Sequence, residues 1–259
     1  LPFYWENTPA LYIKFYSLWA QKIADLNFIN THASNASENI RVCNVKTTVD
    51  LNQLQLDCEA TVSLSGQFST MTRNLYAFNH VDSTLNPLYG RKINYAFAGD
   101  DPIVLKPQSR STAYPFKTNF KLNYSSSEMI ENKGSEYQIK LKDWFPHIIE
   151  VDVSAAKRNL KYYPDFQSQD LIKYFFVFSD SVNLLNKEDL DIAISNSFGT
   201  YTITANQVNP TTIMVASEFR VTSEFVEVNK IGDVVDINAA IRKLNEGVLM
   251  VQKDSAGLH

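Results

Sequence analysis

The sequence predicts an α+β protein that is predominantly antiparallel β, with one or two sandwich-like sheets, an N-terminal amphipathic helix and a short C-terminal helix. Three observations lead to this fold class. Short runs of alternating apolar and polar residues recur along the chain, turn-forming residues separate them, and apart from one short helix at about residues 154–160 the helical patterns lie at the two ends. Repeated short strands without long helices between them favour antiparallel sheets over a doubly wound parallel sheet.

The first predicted element is a helix. Asn7 or Thr8 can cap it and Pro9 suits its first position. A polar stripe runs opposite a broad apolar face, and the residues expected to dock this helix or to face a partner are Leu11, Tyr12, Phe15, Trp19 and Ile23. We expect the face to pack on a sheet of the same chain, and packing on a partner is the alternative.

The two cysteines lie in the next two predicted strands. Residues 41–49 and 54–64 alternate, and Asp50–Gln53 reads as the turn between them. In this register Cys43 and Cys58 face each other, so the sequence predicts a disulfide between them. A disulfide implies an oxidising compartment, which places the protein in the periplasm or at the cell surface. The alternative is two free, buried thiols.

The remaining pattern is a series of short strands followed by a helix. The strand-like runs are 72–81, 92–98, 103–105, 116–124, 137–141, 148–153, 171–178, 191–195, 201–205, 211–216 and 219–228. The final helix begins near Asp233 or Asp236 and carries apolar residues through Val248. Alternatively, Gly247 ends it and releases residues 248–251 as a strand.

Domain organisation follows from a polar segment at residues 125–135. It is the best candidate boundary, and it reads equally well as a long hairpin loop. The predicted divisions are an N-terminal helical segment (1–30), a β-rich part with the cysteine hairpin (38–125) and a second β-rich part with the C-terminal helix (136–251). A chain of 259 residues suits one large β-rich domain or two of ordinary size.

Charge argues against a nucleic-acid partner. The chain has 24 Lys and Arg against 28 Asp and Glu, a formal net charge of −4, and no long run of either sign. A phosphate-binding surface needs clustered basic residues. No stretch reaches the roughly 18 apolar residues that a membrane-spanning helix needs.

Motifs that could carry chemistry are weak. Ser154 and Lys157 have the Ser-x-x-Lys spacing of serine acyl enzymes, but the accompanying Lys-Thr-Gly and Ser-Asp-Asn elements are missing, so chance is the better explanation. The four histidines, His32, His80, His147 and His259, are scattered without metal-ligand spacing. Phosphate-binding glycine patterns are also lacking. The sequence therefore predicts no catalytic, cofactor-binding or metal-binding residue, and it favours a non-enzyme over an enzyme.

These observations together favour a non-catalytic extracytoplasmic module that binds other proteins in an envelope or surface assembly, such as a secretion or adhesion apparatus. The aromatic start Leu1–Trp5 is typical of a segment near a bilayer, and it suggests membrane attachment through a segment upstream of Leu1. The alternative function is an extracytoplasmic hydrolase or a glycan-binding protein.

Overall fold

The computed structural model describes residues 8–18, 21–71, 104–110, 116–141 and 158–254. Several sequence predictions fall outside these residues. They are Trp19, the aromatic start, the predicted strands 72–81, 92–98 and 148–153, and the Ser154–Lys157 pair with His80 and His147.

The described residues contain fourteen strands and one helix of more than two turns. The strands are β1 (Pro9–Leu18), β2 (Gln21–Asn30), β3 (Ile40–Asp50), β4 (Gln55–Ser65), β5 (Val104–Arg110), β6 (Lys117–Ser126), β7 (Ile130–Asn132), β8 (Glu136–Lys140), β9 (Ser168–Phe178), β10 (Val182–Leu184), β11 (Ile192–Ser195), β12 (Gly199–Asn209), β13 (Thr212–Val221) and β14 (Val248–Lys253). The helix is α1 (Ile231–Asn245). Shorter helical turns lie at 66–71, Lys187–Leu190 and Val228–Lys230.

These strands form three sheets within the described part of the chain. The largest has eight strands in the order β11-β12-β13-β9-β3-β4-β6-β5, and a four-stranded sheet has the order β10-β14-β8-β7. The third is the isolated hairpin β1-β2. Every described pairing is antiparallel except that of β3 with β9, which is parallel. Because β3 and β9 pair, residues from both predicted β-rich parts share one sheet.

The core lies on one face of the eight-stranded sheet. Side chains alternate between the two faces of a strand, so every second side chain of β3, β4, β9 and β13 points into the core. The residues between them are exposed or half-buried. Apolar side chains of the four-stranded sheet and of α1 belong to the same buried cluster, including Ile139, Leu249, Val234 and Ile241. The two larger sheets and α1 therefore share one core.

A buried ion pair joins the two central strands. Arg41 of β3 lies opposite Asp170 of β9 in the parallel register. The guanidinium is bidentate: Nε donates to Oδ1 at 2.6 Å and Nη2 donates to Oδ2. Both side chains are almost fully buried, and the guanidinium lies 5.5 Å from the ring centroid of Phe68. This pair satisfies two charges inside the core and fixes β3 against β9.

The predicted α+β class with an N-terminal helix is wrong. The described protein is mostly β, and its N-terminal residues form the hairpin β1-β2. The reason is an ambiguous pattern: residues 10–13 are continuously apolar, so both helical and strand spacings find an apolar face. The β-branched and aromatic side chains of Tyr12, Ile13, Phe15 and Tyr16 favour the extended form.

The C-terminal helix is present, and the alternative ending at Gly247 is the observed one. Helix α1 runs from Ile231 to Asn245, and the Gly247 N–H donates to the Leu244 carbonyl at 2.8 Å. Strand β14 begins at the next residue. A Cβ at Gly247 would lie 2.9 Å from the Leu244 oxygen, so the close approach of the backbone favours glycine there.

Candidate functional site

The N-terminal hairpin β1-β2 presents two faces of different chemistry. Its antiparallel register pairs Leu11 with Phe28, Ile13 with Leu26 and Phe15 with Ala24, and these six residues share one side of the ribbon. We call this side the apolar hairpin face. Polar pairs bound it at each end, namely Pro9–Asn30 at the base and Ser17–Lys22 near the tip.

No residue in the described part of the chain covers the apolar hairpin face. Its large side chains keep much of their surface exposed: Leu11 50%, Ile13 42%, Phe15 73%, Leu26 62% and Phe28 82%. Single exposed apolar residues are ordinary on protein surfaces, whereas a contiguous set marks an interaction surface. An isolated two-stranded hairpin is also only marginally stable in water, so contact with another surface would stabilise it.

The opposite side of the hairpin is mixed in character. By register it carries the apolar or aromatic residues Ala10, Tyr12, Tyr16, Ile23 and Ile29 together with the polar residues Lys14, Asp25 and Asn27. Lys14 lies directly across from Asp25, and the Tyr16 hydroxyl donates to Asp25 Oδ1 at 3.4 Å. A pair of oppositely charged residues therefore lies near the centre of this side, whereas the three central pairs of the apolar hairpin face contain no polar residue.

The base of the hairpin is closed by a backbone hydrogen bond and a hydrogen bond from the backbone to a side chain. Thr31 N–H donates to the Thr8 carbonyl, and Thr8 N–H donates to Thr31 Oγ1, both at 2.9 Å. The following link is anchored at Asn39, whose fully buried amide donates to Ser34 Oγ at 2.7 Å and to the Gln167 carbonyl at 2.8 Å. The chain that leaves the hairpin is therefore fixed where it enters β3.

The residues predicted to form a docking helix are divided by the strand geometry. Leu11 and Phe15 lie on the apolar hairpin face, while Tyr12 and Ile23 lie on the opposite face. Trp19 lies outside the described residues. The sequence prediction missed Ile13, Ala24 and Phe28; the signal that could have found them is the alternation of apolar residues at 11, 13 and 15 and again at 24, 26 and 28.

The predicted disulfide is absent: Cys43 and Cys58 are free and buried. The hairpin β3-β4 exists, but Cys43 lies opposite Val62 and Cys58 lies opposite Thr47. Four residues along a strand correspond to about 13 Å, and a disulfide requires Cα atoms within about 7 Å. The predicted pairing is therefore offset by four residues.

The cause of this offset is the turn. Residues 51–54 form it instead of Asp50–Gln53, because Asp50 Oδ1 accepts the N–H groups of Asn52 and Gln53 at 2.8 and 3.0 Å. Leu54 adopts a left-handed φ of 55°. The predicted pairing of Cys43 with Cys58 requires a turn centred between residues 50 and 51, whereas the observed pairing of Val49 with Leu56 centres the turn between residues 52 and 53. This two-residue difference in the turn centre accounts for the four-residue offset in register.

The environment of the two thiols keeps them protonated. Burial raises the pKa of Cys43 to about 12, and burial also raises the pKa of Cys58, whose Sγ lies 3.5 Å from Thr47 Oγ1. Because the thiolate is the reactive form of cysteine, both side chains act at neutral pH as small protonated core residues.

Two further surface features are smaller. A cavity of about 240 Å³ lies between the helical turn Lys187–Leu190, the end of α1 and β14, and it is below the roughly 300–1,000 Å³ of typical ligand pockets. Tyr163 and Phe225 form an exposed ring pair with centroids 5.8 Å apart. Lys161 Nζ lies 4.1 Å from the Phe225 ring centroid and 2.7 Å from Glu227 Oε1.

Candidate metal-ligating residues that the structure describes serve in local hydrogen bonds. His32 Nε2 lies 3.0 Å from Glu38 Oε1, and Asp191 Oδ1 accepts the Ala205 N–H at 3.0 Å. Among the described residues, no group of three or more His, Cys, Asp or Glu side chains could hold a metal ion. In the same part of the chain, no helix combines the length and the hydropathy needed to span a membrane.

Comparison with known proteins gives no relative. No protein-family model matches the chain, and no curated protein sequence is significantly similar to it.

Proposed function

We propose that this protein is a non-catalytic protein-binding module of an envelope or surface assembly, such as a secretion or adhesion apparatus, and that it binds through the apolar hairpin face. The observation that carries the proposal is the contiguous exposure of Leu11, Ile13, Phe15, Leu26 and Phe28 on one side of the hairpin. Contiguous apolar surface of this kind is typical of protein interaction sites.

The energetics of the hairpin support a binding role. Burying an exposed large apolar side chain gains about 1.5–3 kcal/mol, and the two phenylalanines expose most of their surface. The hairpin has no described neighbouring strand at either edge, so no further sheet contact stabilises it. A partner surface supplies the missing burial.

The polar groups of the described core support the non-catalytic part of the proposal. Arg41 and Asp170 neutralise each other, and burial keeps the thiols of Cys43 and Cys58 protonated. Each of these groups has a structural partner or is shielded from solvent, so none is presented to a substrate.

The extracytoplasmic location stays a prediction. The disulfide that suggested it is not formed, because the two cysteines are four register positions apart. Its remaining support is the aromatic start of the chain at Leu1–Trp5.

The glycan-binding alternative has one observation in its favour, the exposed pair of Tyr163 and Phe225. Aromatic rings with one wet face are suited to stacking on apolar sugar faces. A glycan array separates the two functions: saturable binding that is lost in Tyr163→Ala and retained in Phe28→Ala would favour the alternative.

The proposal is tested by photo-crosslinking in the native cells. A photoreactive phenylalanine analogue at position 28 should give a protein adduct on irradiation, because Phe28 lies on the apolar hairpin face. The matched control is the same analogue at position 27, the adjacent residue on the opposite face, which should give little or no adduct. Failure to form any protein adduct from position 28 would contradict the proposed function.

A further inference from the structure

We propose that the apolar hairpin face is occupied by a second copy of this chain, so that two hairpins pack face to face about a two-fold axis. This inference rests on the proposed function, because it identifies the partner of the same surface. Three observations carry it: the area of the face, the placement of its single charge and the sizes of its side chains.

The area suits a dimer. The five large side chains of the face expose roughly 600 Å² in one copy, judging from the size of buried aromatic and aliphatic side chains. Two copies would bury roughly 1,200 Å², which is about the lower limit for a specific interface. A face of this size is therefore sufficient for a reversible dimer without any additional contact.

The charge on the face selects an antiparallel arrangement. Lys22, paired with Ser17 near the hairpin tip, is the only ionisable residue among the ten register positions on this side. If the two hairpins pointed the same way, the two Lys22 ammonium groups would lie at the same end and repel each other. In the antiparallel arrangement each Lys22 lies over the Pro9–Asn30 base of the other copy, where an amide oxygen can accept its hydrogen bond.

Side-chain size agrees with the same arrangement. A two-fold axis across the strands places each strand over its own copy, with Leu26 over Leu26 at the centre of β2. On β2 the large ring of Phe28 then lies over the small side chain of Ala24 in the other hairpin, while on β1 Phe15 lies over Leu11. Alternating large and small side chains across facing sheets is the condition for close packing.

The first experiment measures mass against concentration. Sedimentation velocity of the purified chain should show a monomer at low concentration and a species of twice the chain mass at about 100 µM, as expected for an interface near the lower size limit. Phe28→Asp should remain monomeric, with at least a tenfold weaker dimer. Asn27→Asp adds the same charge at the adjacent residue on the opposite face and should dimerise like the wild type. Circular dichroism confirms that each variant is folded.

The second experiment tests the two-fold axis. A short thiol-specific bifunctional reagent that spans about 10 Å, the separation of two facing sheets, should link Leu26→Cys into a dimer. It should not link Asn27→Cys, because residue 27 lies on the opposite face. The native thiols do not interfere, since Cys43 and Cys58 are buried.

The outcomes separate this inference from the proposed function. Suppose that the wild-type chain stays monomeric at about 100 µM and that position 28 forms a photo-adduct with a different protein. This result would overturn the proposal that a second copy binds the face, and it would keep the proposed binding function. A monomer that gives no protein adduct but floats with phospholipid vesicles, and loses flotation in Phe28→Asp, overturns both. Equal dimerisation of Phe28→Asp and wild type overturns the assignment of the dimer to this face.

Discussion

Two hairpins of this protein have similar length and opposite fates. The ribbons β1-β2 and β3-β4 are each held by ten residue pairs in antiparallel register. The ribbon β3-β4 has β9 along one edge and β6 along the other, and the inward side chains of both strands are buried. The ribbon β1-β2 has no described strand along either edge, and its apolar face is exposed.

This difference shows that the pairing of two strands within a hairpin does not decide whether that hairpin is buried or exposed. Both ribbons satisfy their internal backbone hydrogen bonds, and both carry apolar residues at alternate positions. What differs is the supply of neighbouring surface, which β9, β6 and the core provide only for β3-β4. The contrast between a buried ribbon and an exposed one makes quantitative predictions.

The largest effect should come from breaking the ion pair that anchors β3-β4 to β9. Asp170→Ala leaves the Arg41 guanidinium buried without its carboxylate, so it should lower the free energy of unfolding by about 3–5 kcal/mol. Urea unfolding followed by circular dichroism measures this loss.

The matched control removes both charges of that pair. The double variant Arg41→Met with Asp170→Leu leaves no unpaired charge, so most of the stability should return. A loss below about 1 kcal/mol in Asp170→Ala would show that water reaches the pair, and the buried description of this part of the sheet would be wrong.

A pair of identical substitutions compares the two hairpins directly. Leu56 in β4 is fully buried, and Leu26 in β2 is 62% exposed. Leu56→Ala should cost about 2–5 kcal/mol because it leaves a cavity in the core. Leu26→Ala should change the stability of the monomer by no more than about 0.5 kcal/mol. Urea unfolding measures both values, at a protein concentration too low for the dimer to form. Equal losses of unfolding free energy in the two variants would mean that the hairpin face is covered within the monomer.

The sequence predicted the strands of the large sheet well because their alternation is strict. The clearest cases are β3, β4, β6 and β9, whose predicted runs overlap the observed strands over most of their length. In β13, the predicted run 211–216 and the first three residues of the run 219–228 belong to one continuous strand, Thr212–Val221. The rest of the second run was wrong, because β13 ends at Val221. Local alternation is a property of nearby residues, so a single sequence is sufficient to show it.

Other features had no decisive local signal. The pairing of β3 with β9 brings together residues 129 positions apart, and nothing near Arg41 in the sequence indicates Asp170 as its partner. The β3-β4 register depended on which residues form the turn. Asp50 accepts hydrogen bonds within a turn at residues 51–54, whose centre lies two residues beyond the centre that the predicted pairing of Cys43 with Cys58 requires. The N-terminal ribbon was mistaken for a helix because its continuous apolar run fits both periods.

The smallest effect concerns the buried thiol of Cys43 in the covered hairpin. Burial raises its pKa from 9.0 to about 12, so above pH 9 the unfolded chain loses this proton while the folded chain keeps it. The unfolded state then binds fewer protons, and stability falls as pH rises between 9 and about 12. Below pH 9 the thiol is protonated in both states and contributes no pH dependence.

Replacing the thiol tests this difference with the other groups held constant. Between pH 8 and pH 10 the wild type should lose about 1 kcal/mol more unfolding free energy than Cys43→Val, which has no proton to release. Burial also raises the pKa values of Cys58, Tyr124 and Tyr174, but these groups are present in both proteins and cancel in the comparison. Urea unfolding at the two pH values measures it. If the unfolding free energies of the wild type and of Cys43→Val change equally with pH, then Cys43 has the same pKa in the folded and unfolded chains. That result would contradict the burial of Cys43 on the covered face of β3.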